Sequence, residues 1–157
     1  MKTGKAILLG CGIAVVVMLI VLFGGGVAVY KLAQDPQGMR VQIESPAKVK
    51  VDDEFEVRLL VVNEREGKSL KVASIDWSED YLQGVTIRSC EPLARGSSLT
   101  GKDGGGSYSF EKLVPAGATN VFTFHMRAKR VGNFKGEVDV YEGLRLMTVL
   151  AELEVTE

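Results

Sequence analysis

The sequence predicts an all-β domain, two sheets packed face to face, carried behind a single membrane-spanning helix. Three observations predict it. The run from Ala6 to Tyr30 is apolar throughout, and the remainder alternates apolar and polar residues in short segments. Gly, Pro, Asn and Asp cluster between those segments, at intervals of about 8–12 residues.

The chain has 157 residues, and setting the apolar run aside leaves roughly 120, the size of one domain with one core. Lys plus Arg (19) nearly balances Asp plus Glu (20). No global field therefore draws the chain to nucleic acid, which is excluded as a partner, or to an anionic surface. Of the two cysteines, Cys11 lies in the apolar run and Cys90 in the downstream domain, a placement that opposes an intramolecular disulfide. Cys90 has no His or CxxC neighbour to activate it and reads as a small buried apolar residue, with intermolecular pairing as the alternative.

The segment AILLGCGIAVVVMLIVLFGGGVAVY, residues 6–30, carries no charge and exceeds the about 20 residues that cross a bilayer as a helix. It is apolar on every side, where a core helix of a small domain would keep one polar face. Leu8-Leu9-Gly10-Cys11 has the letters of a lipobox. Too few apolar residues precede Cys11, however, and too many follow it, so lipidation is not expected. Gly26-Val27-Ala28 offers small residues for signal cleavage, yet the apolar stretch before it is longer than the about 7–15 residues of a cleavable signal.

The expectation is an uncleaved signal-anchor in the cell membrane. Residues 1–5 form a cytoplasmic head, 6–30 the transmembrane helix in the lipid bilayer, 31–38 a linker, and 39–157 the extracytoplasmic β domain. Lys2, Lys5 and the α-amino group before the run nearly balance Lys31 and Arg40 after it, so the short basic head, not the charge count, sets the orientation. Gly10 with Ala14 and Gly24 with Ala28 are small-xxx-small pairs through which two such helices can pack as a homodimer.

In the β domain, Val41 and Ile43 alternate with Gln42 and Glu44, Pro46 interrupts, and Val49 and Val51 resume: a first strand broken in two at a sheet edge. Phe55, Val57, Leu59 and Val61 oppose Glu56 and Arg58, and Leu60 and Val62 make the far end apolar on both faces. Leu70, Val72, Ile75 and Trp77 form the next strand, with a register shift at Ala73-Ser74 and Trp77 against the core. Val85, Ile87 and Ser89 share a face of a strand that Pro92 stops. Residues 94–107 (ARGSSLTGKDGGGS) show no strand or helix pattern and read as the longest, flexible loop; Tyr108, Phe110 and Lys112 restart the alternation.

Pro115-Ala116-Gly117 marks a turn into a strand with Phe122, Phe124, Met126 and Ala128 inside and Thr123, His125, Arg127 and Lys129 outside. Gly132-Asn133 turns the chain into Phe134–Tyr141, and Glu142-Gly143 turns it into Leu144–Val155, a closing hairpin. No segment between strands has a helix pattern. The sum is an immunoglobulin-like two-sheet sandwich of about 7–9 strands.

The stretches SPAKVKVDDEFEVRLLVVN, residues 45–63, and LVPAGATNVFTFHMRAKRVGNFKGEVDVY, residues 113–141, resemble the first and last thirds of bacterial cell-surface immunoglobulin-like (CARDB-like) domains. Those families often place glycine where this chain has Asp53, and their middle strands have no match here. The resemblance implies a sandwich without an active site.

Gly96 to Asp103 follows a phosphate-binding loop pattern except that Asp103 stands where Ser or Thr would meet Mg²⁺. Gly104-Gly105-Gly106 then replaces the helix that would face the phosphates. Asp52, Asp53, Glu54 and Glu56 form one acidic turn and Asp76, Glu79 and Asp80 another, without the spacing of a calcium loop. His125 is the single histidine and lies on a polar strand face without a second metal ligand in sequence. No serine sits in a nucleophile elbow. No catalytic, cofactor-binding or metal-ligating set is assigned and no cofactor is expected. The function expected is a non-catalytic, membrane-anchored module that binds an unidentified protein partner. The alternative is a small-ligand or calcium sensor built on the acidic turns or residues 94–107.

Overall fold

Period-two alternation survives folding almost everywhere it is strong. In a computed structural model that describes residues 36–100 and 105–157, ten strands form β1 (Met39–Glu44), β2 (Lys48–Lys50), β3 (Glu54–Asn63), β4 (Leu70–Trp77), β5 (Val85–Glu91), β6 (Gly96–Thr100), β7 (Gly105–Val114), β8 (Thr119–Ala128), β9 (Gly132–Glu142) and β10 (Arg145–Thr156). A single-turn helix α1 (Glu79–Leu82) joins β4 to β5. A four-stranded sheet ordered β1-β3-β8-β5 faces a six-stranded sheet ordered β2-β10-β9-β4-β7-β6. The architecture is an all-β two-sheet sandwich. The expected membrane helix, residues 6–30, and most of the expected linker lie outside the described residues, among which no helix is long and apolar enough to cross a membrane.

The core lies between the sheets. Val57, Leu59 and Val61 of β3 and Phe122, Phe124, Met126 and Ala128 of β8 line one side, as their alternation predicts. Val72, Ile75 and Trp77 of β4, Val138 and Val140 of β9, and Leu153 and Val155 of β10 line the other. Asn63, buried at the end of β3, is the polar exception, and its amide is satisfied. Its Nδ2 donates to the Lys68 and Val114 carbonyls at 2.8 and 2.9 Å, and its Oδ1 accepts from the Arg65 amide at 3.1 Å. It ties the β3–β4 loop to the end of β7.

Pro46 does break the first strand, and the break does more than interrupt it. β1 is the edge of the four-stranded sheet and pairs antiparallel with β3, whereas β2 is the edge of the six-stranded sheet and pairs parallel with β10. The strand count exceeds the expected 7–9 partly for this reason. β4 shifts register between Val72 and Ser74, as expected, opposite Glu111 of β7 at φ 53°. That bulge corrects the reading of Lys112, which is exposed although it was expected on the inner face with Phe110.

Ser89 was also expected inside. A second irregularity, between Ile87 and Ser89 where β5 pairs β8, advances the strand by one position, so Cys90 is buried and Ser89 exposed. Gly132-Asn133 opens β9, and the turn falls at residues 129–131. At the closing hairpin Gly143, at φ 62°, takes the first position of a two-residue Gly143-Leu144 turn.

The largest correction concerns residues 94–107. They contain strand β6 and the start of β7, paired from Gly96↔Ser109 to Thr100↔Gly105, with residues 101–104 outside the described residues. The alternation was invisible because β6 is an edge strand held by main-chain hydrogen bonds, which demand no apolar side chain. Gly106, opposite Trp77 in the β4–β7 register, leaves the space that Tyr108 and Leu82 fill. The one-turn helix was missed as well: it is too short to show a period and is held by Tyr81, which is fully buried.

Candidate functional site

Strands β3 and β8 turn their polar alternates outward, and the pairing of the four-stranded sheet brings them side by side. Glu56 stands opposite His125, Arg58 opposite Thr123 and Leu60 opposite Val121. β1 adds Glu44 and β5 adds Arg88, Ser89 and Glu91. His125, half-exposed, is the centre of this face. Its Nδ1 lies 3.5 Å from Glu56 Oε1 and its Nε2 4.0 Å from Glu91 Oε1. Arg58 meets the other oxygen of Glu56 at 3.0 Å. Beside this charged row, Leu60 and Val121 form an apolar pair, with Val121 45% exposed.

Three adjoining hollows indent the face. One of about 490 Å³ lies over Leu60, Val121 and His125. A second of about 280 Å³ shares Glu44, Glu56 and Arg58 with it, and a third of about 440 Å³ shares Glu56 and His125. All are open to solvent, and none encloses a small molecule.

Ser89 stands opposite His125 in the β5–β8 register, which puts serine, histidine and glutamate on three neighbouring strands. Among the described residues no hydrogen bond joins Ser89 to the imidazole, whose Nε2 faces Glu91. The nucleophile–base contact of a Ser-His-Glu relay is thus not made. Burial pushes the Cys90 thiol up, against a smaller opposing effect from the Ala94 backbone, so it is a protonated thiol at neutral pH.

The sequence motifs disperse. Gly96–Thr100 is strand β6, and β7 begins at Gly105 where a phosphate-binding loop would begin a helix. Asp52 and Asp53 serve their turn. Asp52, at φ 70°, receives Arg127 at 3.0 Å, and Asp53 accepts the Lys50 amide at 2.9 Å. Glu79 and Asp80 lie in the first turn of α1, while Asp76 faces outward on β4. Among the described residues no three His, Cys, Asp or Glu side chains converge as a metal site would need.

The outer face of the six-stranded sheet differs in kind. Asp76 and Asp139 stand directly opposite each other, and each accepts a hydroxyl from its far neighbour at 2.6 Å, from Ser107 and Thr148. Tyr141 beside them has its phenol pushed up, first by burial and then by the charges of Asp139 and Asp76. This ladder satisfies itself across four strands. The four-stranded face instead leaves exposed apolar atoms beside Glu44 and Arg88, which have no ion-pair partner among the described residues.

Sequence alternation put Glu56 and His125 on outward faces but could not make them neighbours. Only the strand order β3-β8-β5 does that.

No family model matches the chain, and no curated relative matches it. Among solved structures, a cohesin module from a Clostridium perfringens family 33 glycoside hydrolase aligns with a TM-score of 0.52 at 14% identity, over 78% of this chain and 99% of that one. AvmM, described as catalysing macrocyclization in alchivemycin A biosynthesis, aligns with a TM-score of 0.48 at 8% identity, over 80% and 95%. The cohesin likeness is one of fold.

Proposed function

We propose that this chain is a non-catalytic, membrane-anchored extracytoplasmic interaction module. In this reading an immunoglobulin-like sandwich presents the outer face of its four-stranded sheet to a protein partner, as a subunit of an envelope complex or as an adhesin-like domain. The observation that carries the reading is the concentration of three adjoining hollows on that one face, around the Leu60–Val121 pair and a rim of charges. An apolar patch ringed by polar groups is the anatomy of a docking surface, whereas enclosed chemistry needs a deeper cleft. The anchor rests on the uncharged run of residues 6–30.

A photo-crosslinking residue at Thr123, on the four-stranded face, is expected to capture one discrete protein in intact membranes. The same residue at Thr148, on the opposite outer face, is expected to capture none. Equal capture from both positions, or none from Thr123, overturns the reading. Orientation is read separately, by protease added to intact cells or spheroplasts. Residues 40–157 should be cut there while a cytoplasmic control survives; protection until lysis would reverse the topology.

A further inference from the structure

We infer that the end of the sandwich at which the chain arrives rests on the lipid bilayer, with Leu144 at the tip of the β9–β10 hairpin dipping into the interface. The inference builds on the membrane-anchor reading above and adds a lipid contact made by the β domain itself.

Where the chain arrives is fixed by hydrogen bonds. The Gly38 carbonyl accepts the Glu64 amide and the Gln37 carbonyl accepts Arg65 Nε, both at 2.8 Å. β1 then starts at Met39, opposite Asn63 at the end of β3. Arg65 also grips Glu142, the last residue of β9, through both guanidinium nitrogens. The arriving chain, the β3–β4 loop and the β9–β10 hairpin are therefore bound together at one end of the fold.

Chain length decides what lies nearby. If residues 6–30 span the bilayer, only residues 31–35 separate them from Pro36, and at about 3.3–3.6 Å per residue they reach at most ~18 Å. On that reading the tether leaves this end within that reach of the lipid.

Its surface suits that place. Leu144 is 80% exposed, and Leu113, one residue from the end of β7, is 59% exposed. Of the charges at this end without an ion-pair partner among the described residues, Lys68, Lys112 and Arg145 are cationic and Glu66 is anionic. An apolar side chain flanked by long cationic ones matches the boundary between acyl chains and phosphates. At the opposite end the β8–β9 turn carries Val131, 49% exposed, and serves as the control.

The test uses the full chain, with Cys11→Ser, in vesicles of phosphatidylcholine and phosphatidylglycerol. Nitroxides are attached at Leu144→Cys, Ala116→Cys or Val131→Cys in turn; Cys90 is buried. Leu144 and Ala116 share the arriving end, so a label that disturbs one turn leaves the other informative. The expected result is several-fold lower accessibility to a water-soluble nickel chelate at 144 and 116 than at 131, with oxygen accessibility retained at 144. Chelate accessibility equal at all three positions, in protein that stays with the vesicles through a carbonate wash, overturns the lipid contact and leaves the anchor standing. Release by carbonate overturns the anchor and this inference together. Protection from both reagents, with spin–spin broadening at 144, identifies a contact between copies of the chain and also overturns it.

Discussion

The ring of Phe124 meets the indole of Trp77 edge-on, with centroids 5.1 Å apart and planes at 73°. One comes from β8 and the other from β4, so the contact crosses from sheet to sheet at the centre of the core. Tyr108 and Phe110 also meet Phe124 edge-on, at 5.4 and 6.2 Å.

Phe124→Ala should therefore cost about 3–5 kcal/mol, since it removes a fully buried ring that three other aromatics surround. Thr123→Ala, one residue away on the outward face, should cost under about 1 kcal/mol. Urea denaturation of a fragment of residues 36–157 measures both. Similar losses at the two positions would show that the register of β8 differs from the one described.

Gly136 of β9 lies under α1, where an added Cβ would come within 2.0 Å of Ser78 Oγ and 2.9 Å of the Tyr81 backbone nitrogen. Gly136→Ala should lower stability by about 1–3 kcal/mol or more, because the helix must lift off the sheet. At Gly96 an added Cβ meets nothing within 4 Å, and alanine there should change stability by less than about 0.5 kcal/mol. Thermal melts of the two variants separate these outcomes.

Arg65 and Glu142 are half-buried, with side chains 22% and 21% exposed. A double-mutant cycle on Arg65→Ala and Glu142→Ala should give a coupling of about 1 kcal/mol, toward the upper end for pairs open to solvent. Arg65→Lys should fail to restore it, because an ammonium group cannot bind both carboxylate oxygens and the Gln37 carbonyl at once. A coupling near zero would mean that the ion pair does not fasten the β9–β10 hairpin to the β3–β4 loop.

Tyr81 is buried, and its hydroxyl lacks a hydrogen-bond partner among the described residues. Burial pushes its phenol up from 10.0 to about 12, with the nearby Ser45 hydroxyl opposing slightly. Below pH 10 the group is neutral folded or unfolded and stability is unaffected. From there to about pH 12 the unfolded chain loses the proton and the folded one keeps it, so stability falls by roughly 2–3 kcal/mol. Tyr81→Phe should flatten that slope and cost little at pH 7, since it removes an unpaired polar atom. An unchanged slope would assign the alkaline loss to other groups.

The inward faces of β3, β8 and β9 were legible because each buries one side and wets the other, so burial writes a period of two into the sequence. Ser89 and Lys112 were misplaced because the irregularities at Arg88 of β5 and Glu111 of β7 interrupt no apolar spacing, whereas the shift in β4 showed in the odd spacing of Val72 and Ile75. β6 escaped notice because an edge strand is held by main-chain bonds, which require no apolar alternation. The outer face of the four-stranded sheet was half legible: alternation turned Glu56 and His125 outward and made Leu60 an apolar residue on that same face of β3, but their adjacency depends on which strands pair. Pairing joins residues some seventy positions apart, and no local pattern records it.

The division of the first strand between the two sheets has a mechanical consequence. β1 runs away from the end where the chain arrives, so tension applied at that end of the domain would act along its axis and across the hydrogen bonds to β3. Six registered pairs share that load together, as in a lap joint, and they do not open one after another like a zip. Past Pro46 the same segment is stitched to β10 in the other sheet, so the pull reaches both sheets before either can peel. A domain pulled from that end would yield at its unfolding rate, with the first strand as the joint that sets it.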